Sequence, residues 1–235
     1  MPLLETKGLT ASYGDFQALF GVDIALNDAE TVAIIGANGA GKTTLMRSIS
    51  GVLRNAADMV RFDGRDIGAL PADEIVAQGV AMVPEGRKLF PSLSVEENLV
   101  IGTYGRKTGG HWSLDTIYDL FPILQERRHN PGTALSGGQQ QMVAIGRALM
   151  SNPRVMLCDE ISLGLAPVVI KDIYKAVPAI QAAGASIIIV EQDIGQATAV
   201  ADRVYCMMEG CVTLSGTPSE LSRDAIHDAY FGAGH

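Results

Sequence analysis

Short apolar runs recur along the chain and are separated by stretches that favour helices. Three of the runs are continuous: TVAII (Thr31–Ile35), VMLC (residues 155–158) and ASIIIV (residues 185–190). Runs of this length without a polar interruption are typical of strands that are buried on both faces, as in parallel sheets. We therefore expect these three segments to be buried strands.

Helices are predicted beside these strands. Residues 42–51 favour a helix directly after the first strand, and residues 167–183 favour a helix between the other two. A strand, a helix and a second strand in this order form a unit in which the two strands run parallel. The alternation indicates an α/β domain.

The segments before the first apolar run and after the last one have a pattern that differs from the continuous apolar runs. The first thirty residues favour antiparallel strands, and so do residues 203–216, in which Glu209 and Gly210 supply the residues of a turn. We therefore expect antiparallel pairs in addition to the parallel unit.

The middle of the chain favours short helices around a polar, glycine-rich loop at residues 103–112. We find no internal repeat there or elsewhere. The sequence thus predicts one domain, residues 1–235, with its α/β core in residues 1–84 and 152–235. A helical insertion is expected over about residues 85–151.

The composition is that of a folded protein with a sizeable core. Apolar residues make up 47% of the chain, and the net charge is −8 with the acidic residues spread along it. Nothing resembles a basic groove, so nucleic acid is not expected as a partner. The three cysteines form neither a C-x-x-C pair nor an even set, which fits a reducing compartment.

The sequence shows no signal for secretion or for spanning a membrane. The first residues lack the basic and apolar segments of a signal peptide, and no stretch reaches the ~20 apolar residues that cross a bilayer. We expect a chain that is soluble by itself, which is compatible with docking onto a membrane protein.

Residues 36–43 (GANGAGKT) match the pattern G-x-x-x-x-G-K-[ST] between a predicted strand and a predicted helix. Glycines let backbone N–H groups surround phosphate oxygens, and the following helix adds its positive end. Lys42 would then reach the β- and γ-phosphates, and Thr43 would hold Mg²⁺. An ordinary glycine-rich turn is the alternative, but the flanking strand and helix favour nucleotide binding.

Two acidic residues, Asp159 and Glu160, follow directly on the predicted strand VMLC. A carboxylate beside a phosphate-binding loop can hold the magnesium shell, and a second one can orient or deprotonate the attacking water. Solvated acids at a strand end are common, so the motif is weak alone. It becomes strong beside the phosphate-binding loop.

Residues 135–141 (LSGGQQQ) favour the start of a helix. Ser136 as N-cap and Gln139 three residues later make a capping box. The two glycines between them are expected to leave the N-terminus of the helix bare, which suits a second anion site. A domain with one phosphate-binding loop has no evident use for two such sites, whereas two copies that face each other do.

Together these motifs resemble those of the ATP-binding cassette (ABC) family over essentially the whole chain. The resemblance implies an α/β P-loop NTPase fold with a mixed sheet core, an antiparallel β subdomain and an inserted helical subdomain. It also implies a head-to-tail dimer in which Ser136 and Gly138 of one subunit contact the γ-phosphate of the ATP held by the other. Tyr13 resembles the aromatic residue that stacks on adenine, although a tyrosine can also simply pack at a strand end.

The resemblance assigns roles residue by residue. Glu160 resembles the catalytic glutamate, and Lys42 and Gln192 complete the expected catalytic set. Thr43, Asp159 and Glu85 are the expected Mg²⁺ ligands. The expected ATP contacts are Tyr13, Gly36, Ala37, Asn38, Gly39, Ala40, Gly41, Lys42, Thr43 and Thr44, with Ser136, Gly137, Gly138 and Gln139 from the facing subunit.

Two positions depart from the usual family pattern. Glu85 stands where the family usually has a glutamine that touches magnesium and senses the transporter, and Gln192 stands where it usually has a histidine. These departures put the details of metal binding and γ-phosphate sensing in doubt, but not the ATPase assignment.

The segments VPEGRKLFPSLSVEENL, LSGGQQQMVAIGRALM, DEISLGLAP and VEQD together are similar to the smaller ATPase of branched-chain amino acid importers. That ATPase pairs with a larger relative and two membrane permeases on the cytoplasmic face of the inner membrane, fed by a periplasmic binding protein. In the family, residues 162–165 form a loop that contacts the partner subunit; a simple loop before the next helix is the alternative. Importers of urea and short-chain amides share much of this pattern, so the cargo is open.

Two other classes start from similar motifs. Soluble ABC ATPases in DNA repair carry a long coiled coil, and those that act on ribosomes carry two cassettes, and neither feature occurs in this sequence. A nucleotide kinase also has a phosphate-binding loop, but it would leave the LSGGQ motif without a role. The sequence therefore favours transport.

Overall fold

The computed structural model describes residues 1–104, 106 and 109–231. Its centre is a six-stranded sheet in which four neighbouring pairs run parallel and one edge pair runs antiparallel. In spatial order the strands are β10 (Cys211–Gly216), β9 (Arg203–Met208), β3 (Thr31–Ile35), β8 (Ser186–Glu191), β7 (Val155–Asp159) and β6 (Val80–Val83).

The three apolar runs form strands, as predicted, and these strands are neighbours in the sheet. Every residue of β3, β7 and β8 is buried, because the sheet is covered on both faces. Successive side chains alternate between two cores: Ile188 and Val190 face one of them, and Ile187 and Ile189 face the other. A continuous apolar sequence is what such a two-sided strand requires.

The first core lies under a second, antiparallel sheet. The predicted antiparallel strands in the first thirty residues are confirmed, and two short strands extend their sheet. Its strands are β2 (Phe16–Leu26), β1 (Leu4–Tyr13), β4 (Val60–Phe62) and β5 (Arg65–Asp66). The helix α1 (Lys42–Ile49) packs between the two sheets, and α2 (Ala72–Gln78) leads into β6.

The second core lies under helices that connect β6 to β7. They are α3 (Val95–Val100), α4 (Leu114–Leu120), α5 (Pro122–Glu126) and α6 (Gly137–Leu149). Leu99 of α3, Ile117 of α4 and Leu124 of α5 are fully buried in this core. Residues 105, 107 and 108 of the predicted glycine-rich loop lie outside the described residues.

The single helix predicted over residues 167–183 is wrong, because the segment forms two helices, α7 (Pro167–Tyr174) and α8 (Val177–Ala182). Pro178 has no N–H to donate to the carbonyl of Tyr174, and its ring would clash with that carbonyl in a continuous helix. The chain therefore ends one helix at Tyr174 and begins the next. The parallel pairing of β7 and β8 around this segment is confirmed.

The C-terminal part closes the domain. The predicted hairpin is confirmed as β9 and β10, joined at Glu209 and Gly210. The helices α9 (Ile194–Val200) and α10 (Arg223–Phe231) cover the strands β3 and β9 beside it. Within the described residues, none of the helices has the length and apolar character needed to cross a membrane.

Candidate active site

Residues 36–41 form a loop at the carboxyl end of β3, directly before α1. Glycine is required at Gly36, since a Cβ atom there would lie 2.3 Å from the carbonyl oxygen of Met207 on the neighbouring strand. Gly41 has a φ of 99°, a conformation that other residues rarely adopt. The glycines thus let the loop turn tightly against the sheet at a point where side chains do not fit.

The turn between β9 and β10 holds this loop from the side. The N–H of Gly210 donates to the carbonyl of Ala40 over 3.0 Å, and the carbonyl of Gly210 accepts from the N–H of Phe20, also over 3.0 Å. The turn therefore holds the loop directly, and β2 in turn holds the turn.

The loop forms the floor of a cavity of about 810 Å³. Tyr13, Phe16 and Phe20 form its aromatic end, and Tyr13 is 42% exposed. The hydroxyl of Tyr13 accepts a hydrogen bond from the guanidinium of Arg47 over 3.3 Å. An exposed aromatic ring held in this way is available for stacking, and Arg47 is a contributor that the sequence motifs do not single out.

Lys42 also lines the cavity and is only 4% exposed. Its Nζ atom donates to the carbonyls of Gly36 and Ala37, over 2.7 and 3.0 Å, and lies 3.8 Å from Oε1 of Glu160. Burial lowers the pKa of Lys42, and the nearby carboxylates, first that of Glu160, raise it. The ammonium group is thus held inside the loop that was predicted to bind phosphate.

Asp159 is 1% exposed and contacts the start of α1. Its Oδ1 accepts a hydrogen bond from Oγ1 of Thr43 over 3.3 Å, while its Oδ2 is buried with no protein partner. Burial raises the pKa of Asp159 to about 6, and the charges of Glu160 and Glu85 add to the increase. A buried carboxylate oxygen in this position fits a divalent cation, which prefers oxygen ligands.

Glu85 follows β6 and lies close to these two residues. Together with Thr43 and Asp159 it lines a small cavity of about 220 Å³. No group of three or more His, Cys, Asp or Glu residues suited to a metal exists in the described part of the chain. The oxygen atoms of Thr43, Asp159 and Glu85 could therefore hold Mg²⁺ only as part of its shell, which matches how this ion shares protein and phosphate ligands.

Glu160 is fixed from two sides at the tip of β7. Its φ of 49° lies in the left-handed region, and its N–H donates to the carbonyl of Val190 on β8 over 3.0 Å. The side-chain amide of Gln192 donates to Oε2 of Glu160 over 3.0 Å. Lys42, Glu160 and Gln192, predicted as one catalytic set, are thus brought together, although Gln192 contacts Glu160 in addition to facing the cavity.

The neighbour of Gln192 was missed by sequence reasoning. Glu191 is buried at 2% exposure and accepts hydrogen bonds from Ser162 and Tyr174. The sequence does show an acidic residue at the end of an otherwise apolar strand, which could have drawn attention to Glu191. Its partners could not be predicted, because they lie on a loop and a helix whose packing against β8 is not visible in the sequence.

The residues of the LSGGQ motif lie elsewhere. The capping box is confirmed: Ser136 Oγ accepts from the N–H of Gln139, and Gln139 Oε1 accepts from the N–H of Ser136. The expected bare helix end is covered on one side, because Gly138 is buried against Val169, whose Cγ1 would lie 2.3 Å from a Cβ atom on Gly138. Ser136 is exposed, and Gly137 and Gln139 are partly exposed. None of Ser136, Gly137, Gly138 and Gln139 lines the large cavity.

A family model described as ABC transporter matches residues 19–162, more than half of the chain. The chain belongs to the ABC transporter family. Its members are ATPases, so the predicted family, fold class and enzyme class are confirmed, and ATP is the nucleotide that the family binds. ATPase subunits of these transporters work with membrane-embedded permeases.

Among curated relatives, the high-affinity branched-chain amino acid transport ATP-binding protein BraG of Pseudomonas aeruginosa is 39% identical over 232 residues, covering 98% of this chain and 100% of that protein. The lipopolysaccharide export system ATP-binding protein LptB of Haemophilus influenzae is 31% identical over 237 residues, covering 99% and 98%. The relatives therefore agree on the ATPase and differ in the cargo.

The similarity extends to solved structures. A nucleotide-free ATP-binding cassette from an ABC transporter superposes with a TM-score of 0.81 at 29% identity, covering 97% of this chain and 95% of that chain. The ADP conformation of such a cassette gives a TM-score of 0.78 at 28% identity, covering 97% and 94%.

Proposed function

We propose that this ABC ATPase drives an importer of branched-chain amino acids. The proposed cargo rests on the 39% identity to BraG over the full length of that protein, compared with 31% identity to the lipopolysaccharide export ATPase. That second relative makes export the alternative. Urea or short-chain amides, and a non-transport ABC ATPase, are further alternatives that no contact in the structure favours.

In the proposed site, backbone N–H groups of residues 36–44 and the ammonium group of Lys42 bind the phosphates of ATP. The ammonium group of Lys42 has three N–H donors, and its hydrogen bonds to the carbonyls of Gly36 and Ala37 use two of them, which leaves one for a phosphate oxygen. Tyr13 stacks on the adenine, with Arg47 steadying its ring.

Mg²⁺, when bound, neutralises charge that develops on the phosphates. We assign its protein ligands to Thr43, Asp159 and Glu85, supported by the free buried oxygen of Asp159. Glu160 orients the attacking water or accepts its proton, and Gln192 holds Glu160 in place and donates a hydrogen bond towards the γ-phosphate.

The second half of each ATP site comes from another subunit. We propose that Ser136, Gly137, Gly138 and Gln139 act on ATP held by the facing ATPase, in a homo- or heterodimer. Their distance from their own cavity supports this arrangement. We further propose that residues 85–151 act as a helical subdomain on a core of residues 1–84 and 152–235 within a single domain.

The proposed assembly lies on the cytoplasmic face of the inner membrane. Two permeases hold the ATPase pair there, and a periplasmic binding protein delivers cargo to the permeases without touching this chain. Nucleic acid has no part in this proposal, in line with the net charge of −8.

Uptake measurements test the cargo. In a host whose own copy is deleted, the parent chain should restore uptake of labelled leucine, isoleucine and valine, and the Glu160→Gln variant should not. Labelled urea serves as the matched control substrate. Unchanged amino acid uptake in the deletion strain, together with a loss of urea uptake or of lipopolysaccharide export, would replace the proposed cargo.

A further inference from the structure

Glu191, the last residue of β8, is a buried carboxylate with both oxygens engaged. Its Oε1 accepts from the N–H of Ser162 over 3.1 Å and from the hydroxyl of Tyr174 over 2.7 Å, and its Oε2 accepts from Oγ of Ser162 over 2.6 Å. Burying a carboxylate is costly, and hydrogen bonds from several donors offset that cost. These contacts therefore hold together three segments that are far apart in the sequence.

Two of these segments, the loop after β7 and the end of β8, adjoin the proposed catalytic carboxylate. Ser162 lies two residues after Glu160, and Tyr174 ends the helix α7. Gln192, which follows Glu191, donates to Glu160 itself. The end of β8 thus contacts the loop after β7 at two points: Gln192 binds the carboxylate of Glu160, and Glu191 binds Ser162.

The loop after β7 has further anchors at its start, where the N–H of Glu160 donates to the carbonyl of Val190 and Ile161 is 3% exposed in the second core. The contacts of Glu191 therefore act at Ser162, where the loop leaves that core. Glu160 has a φ of 49°, a left-handed backbone conformation that is unfavourable for a residue with a side chain. Leu163 is 49% exposed and lines the rim of the large cavity. Without a firm anchor, a loop of this kind would sample other conformations.

We propose that Glu191 is a positioning residue for ATP hydrolysis. By holding Ser162 and Tyr174 it sets the place of Glu160 and of residues 162–165, the loop expected to meet the partner subunit. This role, which rests on the proposed ATPase site, acts on the chemical step and leaves ATP binding by Lys42 and Tyr13 largely intact.

The experiment uses the full chain with three substitutions: Glu191→Gln, Ser162→Ala and Tyr174→Phe. Tyr118→Phe is the matched control, because its hydroxyl donates to Glu96 over 2.9 Å in a similar Tyr–Glu pair among the helices. Steady-state ATPase rates give kcat and KM, and hydrogen exchange of residues 161–166 reports the loop.

Glu191→Gln should lower kcat about tenfold and change KM for ATP less than about twofold, since the loss falls on the transition state. Ser162→Ala and Tyr174→Phe should lower kcat in the same direction by less. Each should speed hydrogen exchange of the loop, and the Glu191→Gln/Tyr174→Phe pair should be non-additive. Tyr118→Phe should match the parent.

Parent-like kcat and loop exchange in Tyr174→Phe and Ser162→Ala would overturn the role, even if Glu191→Gln fails to fold. A loss of kcat with faster exchange across the whole chain would overturn it too, because that result means general destabilisation. If the parent hydrolyses no ATP, or Lys42→Ala is as active as the parent, the proposed ATPase site itself is wrong, and the role falls with it.

Discussion

At the scale of single residues, Lys42 is the cation around which the site is arranged. Its ammonium group is buried and satisfied by two loop carbonyls and the Glu160 carboxylate. Lys42→Ala removes the charge that offsets the phosphates, so we expect hydrolysis to fall at least about 100-fold and ATP affinity to weaken. Phosphate release and a nucleotide titration measure the two effects.

The control for this change is Lys175→Ala, which removes an exposed lysine paired with Asp172. Surface pairs of this kind contribute little, so that variant should hydrolyse ATP like the parent. A Lys42→Ala variant with the parent rate would mean that the nucleotide binds elsewhere.

Glu85 gives a second prediction at this scale, because it adds a charge beside Asp159 and Thr43. Glu85→Gln removes that charge, so the Mg²⁺ concentration for half-maximal ATPase activity should rise about two- to tenfold. A magnesium titration of the ATPase rate measures it, with Glu74→Gln, an exposed substitution in α2, as control. An unchanged titration would place Glu85 in another role, such as contact with the permease.

Gln192 gives a third prediction, because its amide joins Glu160. Gln192→Ala frees that carboxylate and should lower kcat about tenfold, with a smaller effect on ATP affinity. Gln192→Glu should be worse, since two carboxylates would then repel each other at hydrogen-bonding distance. Gln192→His should stay active and gain a pH dependence near pH 6.5 that the parent lacks.

ATPase rates of the three Gln192 variants between pH 6 and 8 separate geometry from charge. The imidazole of the Gln192→His variant carries a positive charge below its pKa and loses that charge above it, so the ATPase rate of this variant should change near pH 6.5. Alanine and glutamate variants with parent rates would remove Gln192 from the catalytic set.

At the scale of elements, α6 and α7 meet at a glycine. A Cβ atom on Gly138 would lie 2.3 Å from Cγ1 of Val169, well inside contact distance. Gly138→Ala should therefore destabilise the fold by about 1–3 kcal/mol, although alanine favours helices. Urea unfolding measures it. Gly138→Ala/Val169→Ala should recover part of the loss, and equal stability of Gly138→Ala and the parent would contradict the packing.

The elements also show what the sequence can and cannot predict. Continuous apolar runs identified β3, β7 and β8, because burial on both faces leaves no room for polar residues. The break between α7 and α8 was readable from Pro178 and was missed. The catalytic motifs are local and were readable, whereas the partners of Glu191 depend on how a loop and a helix pack against β8.

At the scale of the whole molecule, one chain carries two half-sites that do not meet. The large cavity lacks the LSGGQ residues, which lie on α6. Glu160→Gln keeps phosphate binding and removes the base, so ATP should shift this variant from monomer to dimer in sedimentation. The Lys42→Ala/Glu160→Gln variant should stay monomeric at the same ATP concentration. Absence of any ATP-dependent association would contradict a dimer of this chain with itself.

The order of strands in the six-stranded sheet could not be predicted from the sequence. Local patterns predicted each strand, but the position of β3 between β8 and β9 depends on pairing between distant segments. Apolar runs of similar composition do not identify their neighbours, since any of them could pair with any other.

The same strand pairing determines how late in translation the chain can form its nucleotide site. β3 and its loop are translated early, whereas β8, β9 and the Gly210 turn that hold them are translated late. Until then the growing polypeptide exposes the unpaired edges of an apolar strand, a state prone to aggregation. A truncated product that ends before Arg203 should therefore bind no nucleotide and depend on chaperones, however complete its phosphate-binding motif is.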